Sequence, residues 1–190
     1  MEPKKLAHAI GLVAWGYVFL YFNLTLGSLN IIPNWVCYLL IGKAIGQLKD
    51  ASPAIALLSP LSILLAALEL CFWVFALIGI DGQNYFLKLL ELLLAILSLY
   101  FHFQLLTDLV ALLQRAGVSG TKKLLLLRTV RTVLAAIMAL PIPWQNSVVL
   151  TVIVAVSGVV VGLWVCVVLV GLRKALLQEK EAYKNKTRGV

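Results

Sequence analysis

The charged residues of this chain fall almost entirely between about six apolar stretches, each long enough to cross a lipid bilayer. These stretches cover residues 6–26, 30–48, 54–80, 85–113, 123–140 and 147–172. They lack the period-two alternation of barrel strands, so internal hydrogen bonding in a bilayer requires them to be helices. We therefore predict an all-α polytopic transmembrane bundle, a single domain over residues 1–172 followed by a basic cytoplasmic tail over 173–190.

Composition supports this class of protein. Of the 190 residues, 62% are hydrophobic and only 13% are charged, and a soluble domain of this size could not bury so much apolar surface. We therefore expect a lipid bilayer to surround the apolar surface, as the first partner of this chain.

The basic residues indicate the orientation. Every lysine and arginine except Lys88 falls at alternate connections or at the termini. The positive-inside rule then places both termini in the cytoplasm, and we expect the inner membrane of a bacterium. This distribution also explains the net charge of +8 without a nucleic acid partner.

Catalytic and metal-binding signatures are missing from the sequence. Cys37, Cys71 and Cys166 all lie inside apolar stretches, without the spacing of metal ligands. No metalloprotease, serine hydrolase or phosphate-binding motif is present. We expect no enzyme activity, no metal and no cofactor.

Ionisable residues within the apolar stretches are the main functional candidates, because a charge in a membrane needs a partner or a function. Glu69 shares a helical face with Ser62 and Ala66, and this face should point into the bundle. A longer stripe on the fourth stretch recurs at spacings of three or four residues, and its members are Asn84, Lys88, Glu91, Ala95, Ser98 and His102.

Together with Glu69, this stripe predicts a polar path for a small solute or ion. The alternative is that Lys88 and Glu91 pair with each other near the interface, while Glu69 is protonated and bonded to Ser98 or to a backbone carbonyl. A lone histidine in the position of His102 is more often a hydrogen-bonded packing residue than a ligand or a proton relay.

Two arginines lie early in the fifth stretch. Arg128 and Arg131 are expected to snorkel to the cytoplasmic headgroups. The alternatives are a binding site for an anion or a lipid phosphate, or a charge pair with Asp108.

Two further features concern packing. Pro60 lies within the third stretch and predicts a kink or an altered first turn. The last stretch presents small residues at spacings of three or four, which form a groove for a neighbouring helix or a face for a partner subunit: Thr151, Ala155, Gly158, Gly162 and Cys166.

The segment 29–48, LNIIPNWVCYLLIGKAIGQL, resembles a pattern in uncharacterised small multi-pass membrane proteins of Gram-positive bacteria. In size, number of spans and position of the termini, the chain is also similar to the substrate-binding S components of energy-coupling-factor transporters. The first resemblance carries no assigned activity. The second implies a membrane bundle that binds a solute, and no site residue is carried over from it.

These observations lead to two hypotheses. The first is a membrane protein that binds or translocates a small solute or ion through the polar path. The second is a scaffold or regulatory subunit that associates with another membrane protein, with a second copy of itself or with anionic lipid.

Overall fold

The computed structural model describes residues 3–21, 25–26, 29–30, 33–79, 85–139 and 148–188. Within these ranges the chain is helical apart from connecting turns and one antiparallel pair of two-residue strands, which confirms the all-α prediction. The elements are α1 (Pro3–Tyr21), β1 (Thr25–Leu26), β2 (Leu29–Asn30), α2 (Trp35–Leu48), α3 (Pro53–Ala56), α4 (Leu58–Leu77), α5 (Tyr85–Arg115), α6 (Thr121–Ala139) and α7 (Val148–Arg188).

The six longer helices form a closed ring in chain order. Helix α1 contacts α2, α2 contacts α4, α4 contacts α5, α5 contacts α6, α6 contacts α7, and α7 returns to α1. Short connections make successive helices antiparallel. We call one end of the ring the basic end. There Lys5 Nζ lies 3.5 Å from Asp50 Oδ2, and His8 Nδ1 lies 3.0 Å from Gln47 Oε1.

Aromatic and leucine side chains fill the middle of the ring. Tyr17 of α1, Tyr38 of α2 and Phe101 of α5 are fully buried there, with leucines and isoleucines of the same helices around them. Their burial excludes water, so each tyrosine hydroxyl needs a partner within the protein. The interior is therefore a packed core at this level, not an open channel.

Glycine sets the turn between α5 and α6. Gly117 has a φ of +80°, which a side chain would disfavour, and it directly follows the last turn of α5. The amide of Val118 donates to the Leu113 carbonyl and the amide of Gly117 to the Gln114 carbonyl. These two bonds form a Schellman motif, so the helix ends where the sequence places Ala-Gly.

The third predicted span is divided near its start. Helix α3 ends at Ala56, Leu57 is a turn, and Pro60 lies in the first turn of α4. An amide at that position has no intrahelical acceptor, so proline is tolerated there. The altered first turn expected at Pro60 is present.

Several predicted boundaries differ from the structure. The first helix ends at Tyr21 and not at residue 26, because β1 occupies Thr25–Leu26. The second helix begins at Trp35 and not at residue 30, because β2 occupies Leu29–Asn30. Helix α7 continues without a break past residue 172 to Arg188, so the basic tail begins as an extension of that helix. The predicted ends at residues 80, 140 and 147 lie outside the described residues.

Among the residues that the structure describes, three helical stretches are long and apolar enough to cross a membrane, namely Pro53–Leu77, Tyr85–Arg115 and Val152–Gln178. Their outer faces expose large apolar side chains, for example Leu57 at 77% and Val167 at 68%. Such surfaces require a lipid environment, so the chain is a membrane protein. Helix α2 has only 14 residues, and α6 carries several cations in its first half. The other predicted spans therefore remain predictions.

Candidate functional site

A cavity of about 280 Å³ lies inside the ring, in the half away from the basic end. Its polar side chains come from five different helices. The residues that line it are Leu20, Tyr21, Tyr38, Glu69, Ser98, Arg131, Leu134, Ala135, Met138, Gly158 and Val161.

Glu69 reaches the cavity from α4. Ser62 and Ala66, at helical spacing on the same face, are buried against the neighbouring helices, and Glu69 itself is half-buried. The predicted inward face of α4 is therefore present. The Asn34 side chain hydrogen-bonds to the Glu69 carboxyl group. Asn34 precedes α2 at the N-cap position but makes no side-chain cap bond, so its amide serves the carboxyl group instead.

Arg131 enters the cavity from α6 and does not snorkel. Its Nε donates a hydrogen bond of 2.6 Å to the Tyr21 hydroxyl. The guanidinium carbon lies 5.4 Å from the centre of the Tyr17 ring and 5.9 Å from that of Tyr21. Two aromatic faces and a hydroxyl stabilise the cation inside the ring. The snorkelling expectation is wrong for this residue.

Glu69 and Arg131 line the same cavity without pairing. Among the described residues, no ion pair joins the two side chains. Each charged group is instead held by neutral polar partners, Asn34 for the carboxyl group and Tyr21 for the guanidinium group. The cavity is therefore lined by an acidic and a basic side chain that are not paired with each other.

Ser98 and His102 of α5 make contacts across the ring. The Ser98 hydroxyl lies 2.8 Å from the Tyr38 hydroxyl, and His102 Nδ1 lies 3.1 Å from the Tyr17 hydroxyl. Ser98 lines the cavity, whereas His102 is fully buried beyond it, among Tyr17, Tyr38 and Phe101. Its other ring nitrogen, Nε2, has no hydrogen-bond partner among the described residues.

Lys88 and Glu91 lie apart from this cavity. Both are exposed on the first turns of α5, where the helix has no buried residue before Leu94. No ion pair between Lys88 and Glu91 is present among the described contacts. The structure therefore brings Ser98 to Glu69 but leaves the outer half of the predicted stripe on the surface.

Arg128 packs on α5. Its Nη1 donates a hydrogen bond of 2.8 Å to the Thr107 hydroxyl, and its guanidinium carbon lies 4.2 Å above the centre of the Phe103 ring. Asp108 accepts a hydrogen bond from Gln104 instead of pairing with Arg128. The predicted alternative of an Arg–Asp108 charge pair is thus wrong for Arg128, and the arginine serves to join α5 and α6.

The small residues of α7 have different environments. Gly158 lines the cavity, and a side chain at Gly162 would overlap the Tyr21 ring of α1. Cys166 is buried, while Ala155 is exposed. The side chain of Thr151 lies outside the described residues. At Gly162 the stripe therefore packs within the molecule.

Sequence reasoning missed the tyrosines that complete the site. Tyr17, Tyr21 and Tyr38 supply the hydroxyls that bond to His102, Arg131 and Ser98 respectively. The available signal was a polar hydroxyl within an apolar helix, which needs a partner when buried. Which partner it takes depends on how the helices meet.

The chain matches no protein family, no curated protein and no solved structure. Among the described residues, no group of three or more metal-ligating side chains lies close enough together to hold a metal ion.

Proposed function

We propose that this protein is a multi-pass inner-membrane protein that binds or translocates a small solute in the cavity between Glu69 and Arg131. The observation that carries the proposal is that an acidic and a basic side chain line one cavity without an ion pair between them. Charged groups within a membrane protein usually mark a ligand or ion pathway.

The walls define the class of solute. Glu69 offers a hydrogen-bond acceptor and a negative charge, while Arg131 offers donors and a positive charge. Between them the wall is apolar, formed by Leu20, Leu134 and Val161 among others. A volume of about 280 Å³ is at the lower end for ligand pockets. We therefore propose a small zwitterionic or dipolar solute with an apolar middle.

The test is native mass spectrometry of the protein purified gently from its own membrane, which reads retained small molecules directly. Wild type should carry a stoichiometric small molecule. Glu69→Gln removes a charge while keeping size, and should weaken its retention by roughly 10- to 100-fold, as expected for one hydrogen bond to a charged group. Glu91→Gln is the matched control, because Glu91 is an exposed carboxylate away from the cavity. Equal retention in both variants would contradict the proposal.

Arg131 provides a second test from the other wall. Arg131→Gln should also lose the retained molecule, whereas Arg115→Gln, an exposed arginine at the end of α5, should keep it. Because Arg131 also bonds to Tyr21, a thermal melt of each variant separates lost binding from lost folding. Loss of the solute in a variant that melts normally supports a direct contact.

The arrangement of the six longer helices is compatible with six spans and with both termini in the cytoplasm, as the positive-inside rule predicts. Fusion of green fluorescent protein or alkaline phosphatase to the C-terminus distinguishes the two orientations. A fluorescent fusion to green fluorescent protein, together with an inactive fusion to alkaline phosphatase, supports the proposed orientation. Active phosphatase would overturn it.

The alternative is a scaffold or regulatory subunit. The observation that favours this alternative is that Ala155 on α7 is exposed and therefore accessible to a partner. Gly162, on the same helix, is already covered by Tyr21. This alternative predicts that Ala155→Phe disrupts a complex with another membrane protein or a second copy, while Glu69→Gln does not. The solute proposal predicts the reverse.

A further inference from the structure

A second cavity lies on the outside of the ring, in a groove between α1 and α7. Its volume is about 590 Å³, and it is separate from the Glu69–Arg131 cavity. The lining residues are Gly11, Ala14, Trp15, Val18, Cys166, Val167, Val170, Gly171, Arg173 and Lys174.

Small residues create the groove. Gly11 and Ala14 on α1 and Gly171 on α7 leave space that larger side chains would fill, and nothing lies within 4 Å of a Cβ built on Gly171. Trp15 borders the space with 59% of its surface exposed, and Val167 is also largely exposed. The floor and sides are thus apolar over about two turns of α7.

The charged side chains that line the groove, among the described residues, are both cations. Arg173 and Lys174 lie together where α7 reaches the basic end, and both are exposed. The Arg173 guanidinium group lies over Gly11, with Nη1 at 3.3 Å from a Cβ built there, so the cation sits at the end of the apolar groove. No carboxylate is found among the described residues that line this space.

We infer that this groove binds one anionic phospholipid, with an acyl chain against the apolar wall and the phosphate at Arg173 and Lys174. A guanidinium and an ammonium group provide strong, charge-assisted hydrogen bonds to phosphate oxygens. Basic residues at the membrane surface attract anionic lipids, whereas a zwitterionic headgroup carries no net charge to match them. The inference does not depend on the proposed solute site.

The first experiment measures lipid adducts by native mass spectrometry. The full-length protein is titrated in detergent with phosphatidylglycerol or with phosphatidylcholine of the same acyl chains. Wild type should prefer phosphatidylglycerol. The double variant Arg173→Gln/Lys174→Gln should bind it about 30-fold more weakly, as expected for two surface cations. The control Arg115→Gln/Lys122→Gln removes two exposed cations at the same end and should bind as wild type.

The second experiment fills the groove and keeps its charges. Gly171→Leu places a side chain in the open space and should abolish the first lipid adduct. Gly46→Leu is matched to it, because Gly46 is also helical, exposed and free of neighbours within 4 Å of a built Cβ. It should leave the adduct unchanged.

Three results would overturn the inference. The first is equal binding of the two lipids to wild type, and the second is equal loss of phosphatidylglycerol in a variant and its control. The third is a dimer that Gly171→Leu converts to a monomer while lipid addition has no effect, since a second copy would then occupy the groove.

Discussion

Alanine at Gly162 tests how α1 packs against α7. A Cβ at this position would overlap three atoms of the Tyr21 ring, whereas a Cβ on Gly158, one helical turn earlier, has nothing within 4 Å. Both positions lie in the interior of the same helix, so both gain about the same helix propensity, up to about 1 kcal/mol. Any difference between the two variants therefore reports on Tyr21.

The magnitude follows from what the Tyr21 ring must give up. Overpacking costs about 1–3 kcal/mol. Moving the ring also strains the 2.6 Å hydrogen bond from Arg131, and a bond to a charged group is worth about 1.5–3 kcal/mol. After the propensity gain, Gly162→Ala should lower the free energy of unfolding by between about 1.5 and 5 kcal/mol. Gly158→Ala should be neutral or more stable by up to about 1 kcal/mol.

The assay is unfolding of the full-length protein in mixed micelles by titration with sodium dodecyl sulfate, followed by far-ultraviolet circular dichroism. A double-mutant cycle provides the control, since in a Tyr21→Ala background the loss caused by Gly162→Ala should largely disappear. If Gly162→Ala is as stable as Gly158→Ala, or if its effect persists without the Tyr21 ring, the packing argument is refuted.

The same assay checks three further contacts. His102→Leu and Tyr17→Phe should each destabilise by about 1–3 kcal/mol, and the double variant by less than the sum, because either change alone leaves a buried group unpaired. Arg128→Lys should lower the free energy of unfolding by about 0.5–2 kcal/mol, because it removes the stacking on Phe103. If the losses caused by Arg128→Lys and Phe103→Leu simply add in the double variant, that contact is contradicted. Asp50→Asn should change stability by less than about 1 kcal/mol, because its ion pair is exposed; a larger loss would require a buried role for this carboxylate.

Periodicity predicted the inward face of α4 but only part of that of α5. Spacing along a helix shows which residues share a side, and Ser62, Ala66 and Glu69 share a side that neighbouring helices cover. On α5 the same rule aligned Lys88 and Glu91 with Ser98 and His102. The face is covered only from Leu94 onward, so the first two turns lie on the surface.

Arginine placement could not be derived from the sequence. Arg128 and Arg131 are one turn apart on α6, and local rules treat them alike. Arg128 meets Thr107 and Phe103 of α5, whereas Arg131 meets Tyr21 and Tyr17 of α1, which are more than one hundred residues away along the chain. The partners of Arg131 depend on closure of the ring.

The sequence by itself determined the helical class and the apolar surfaces, although not where each helix begins and ends. Both follow from local properties, namely unbroken hydrophobic runs and the cations between them. The tertiary structure decided which polar groups meet. Helix α1 closes on α7 and brings Tyr21 to Arg131, while α2 brings Tyr38 to Ser98, and Asn34, just before α2, reaches Glu69. These contacts join distant parts of the chain, and periodicity carries no information about the rotation of one helix against another.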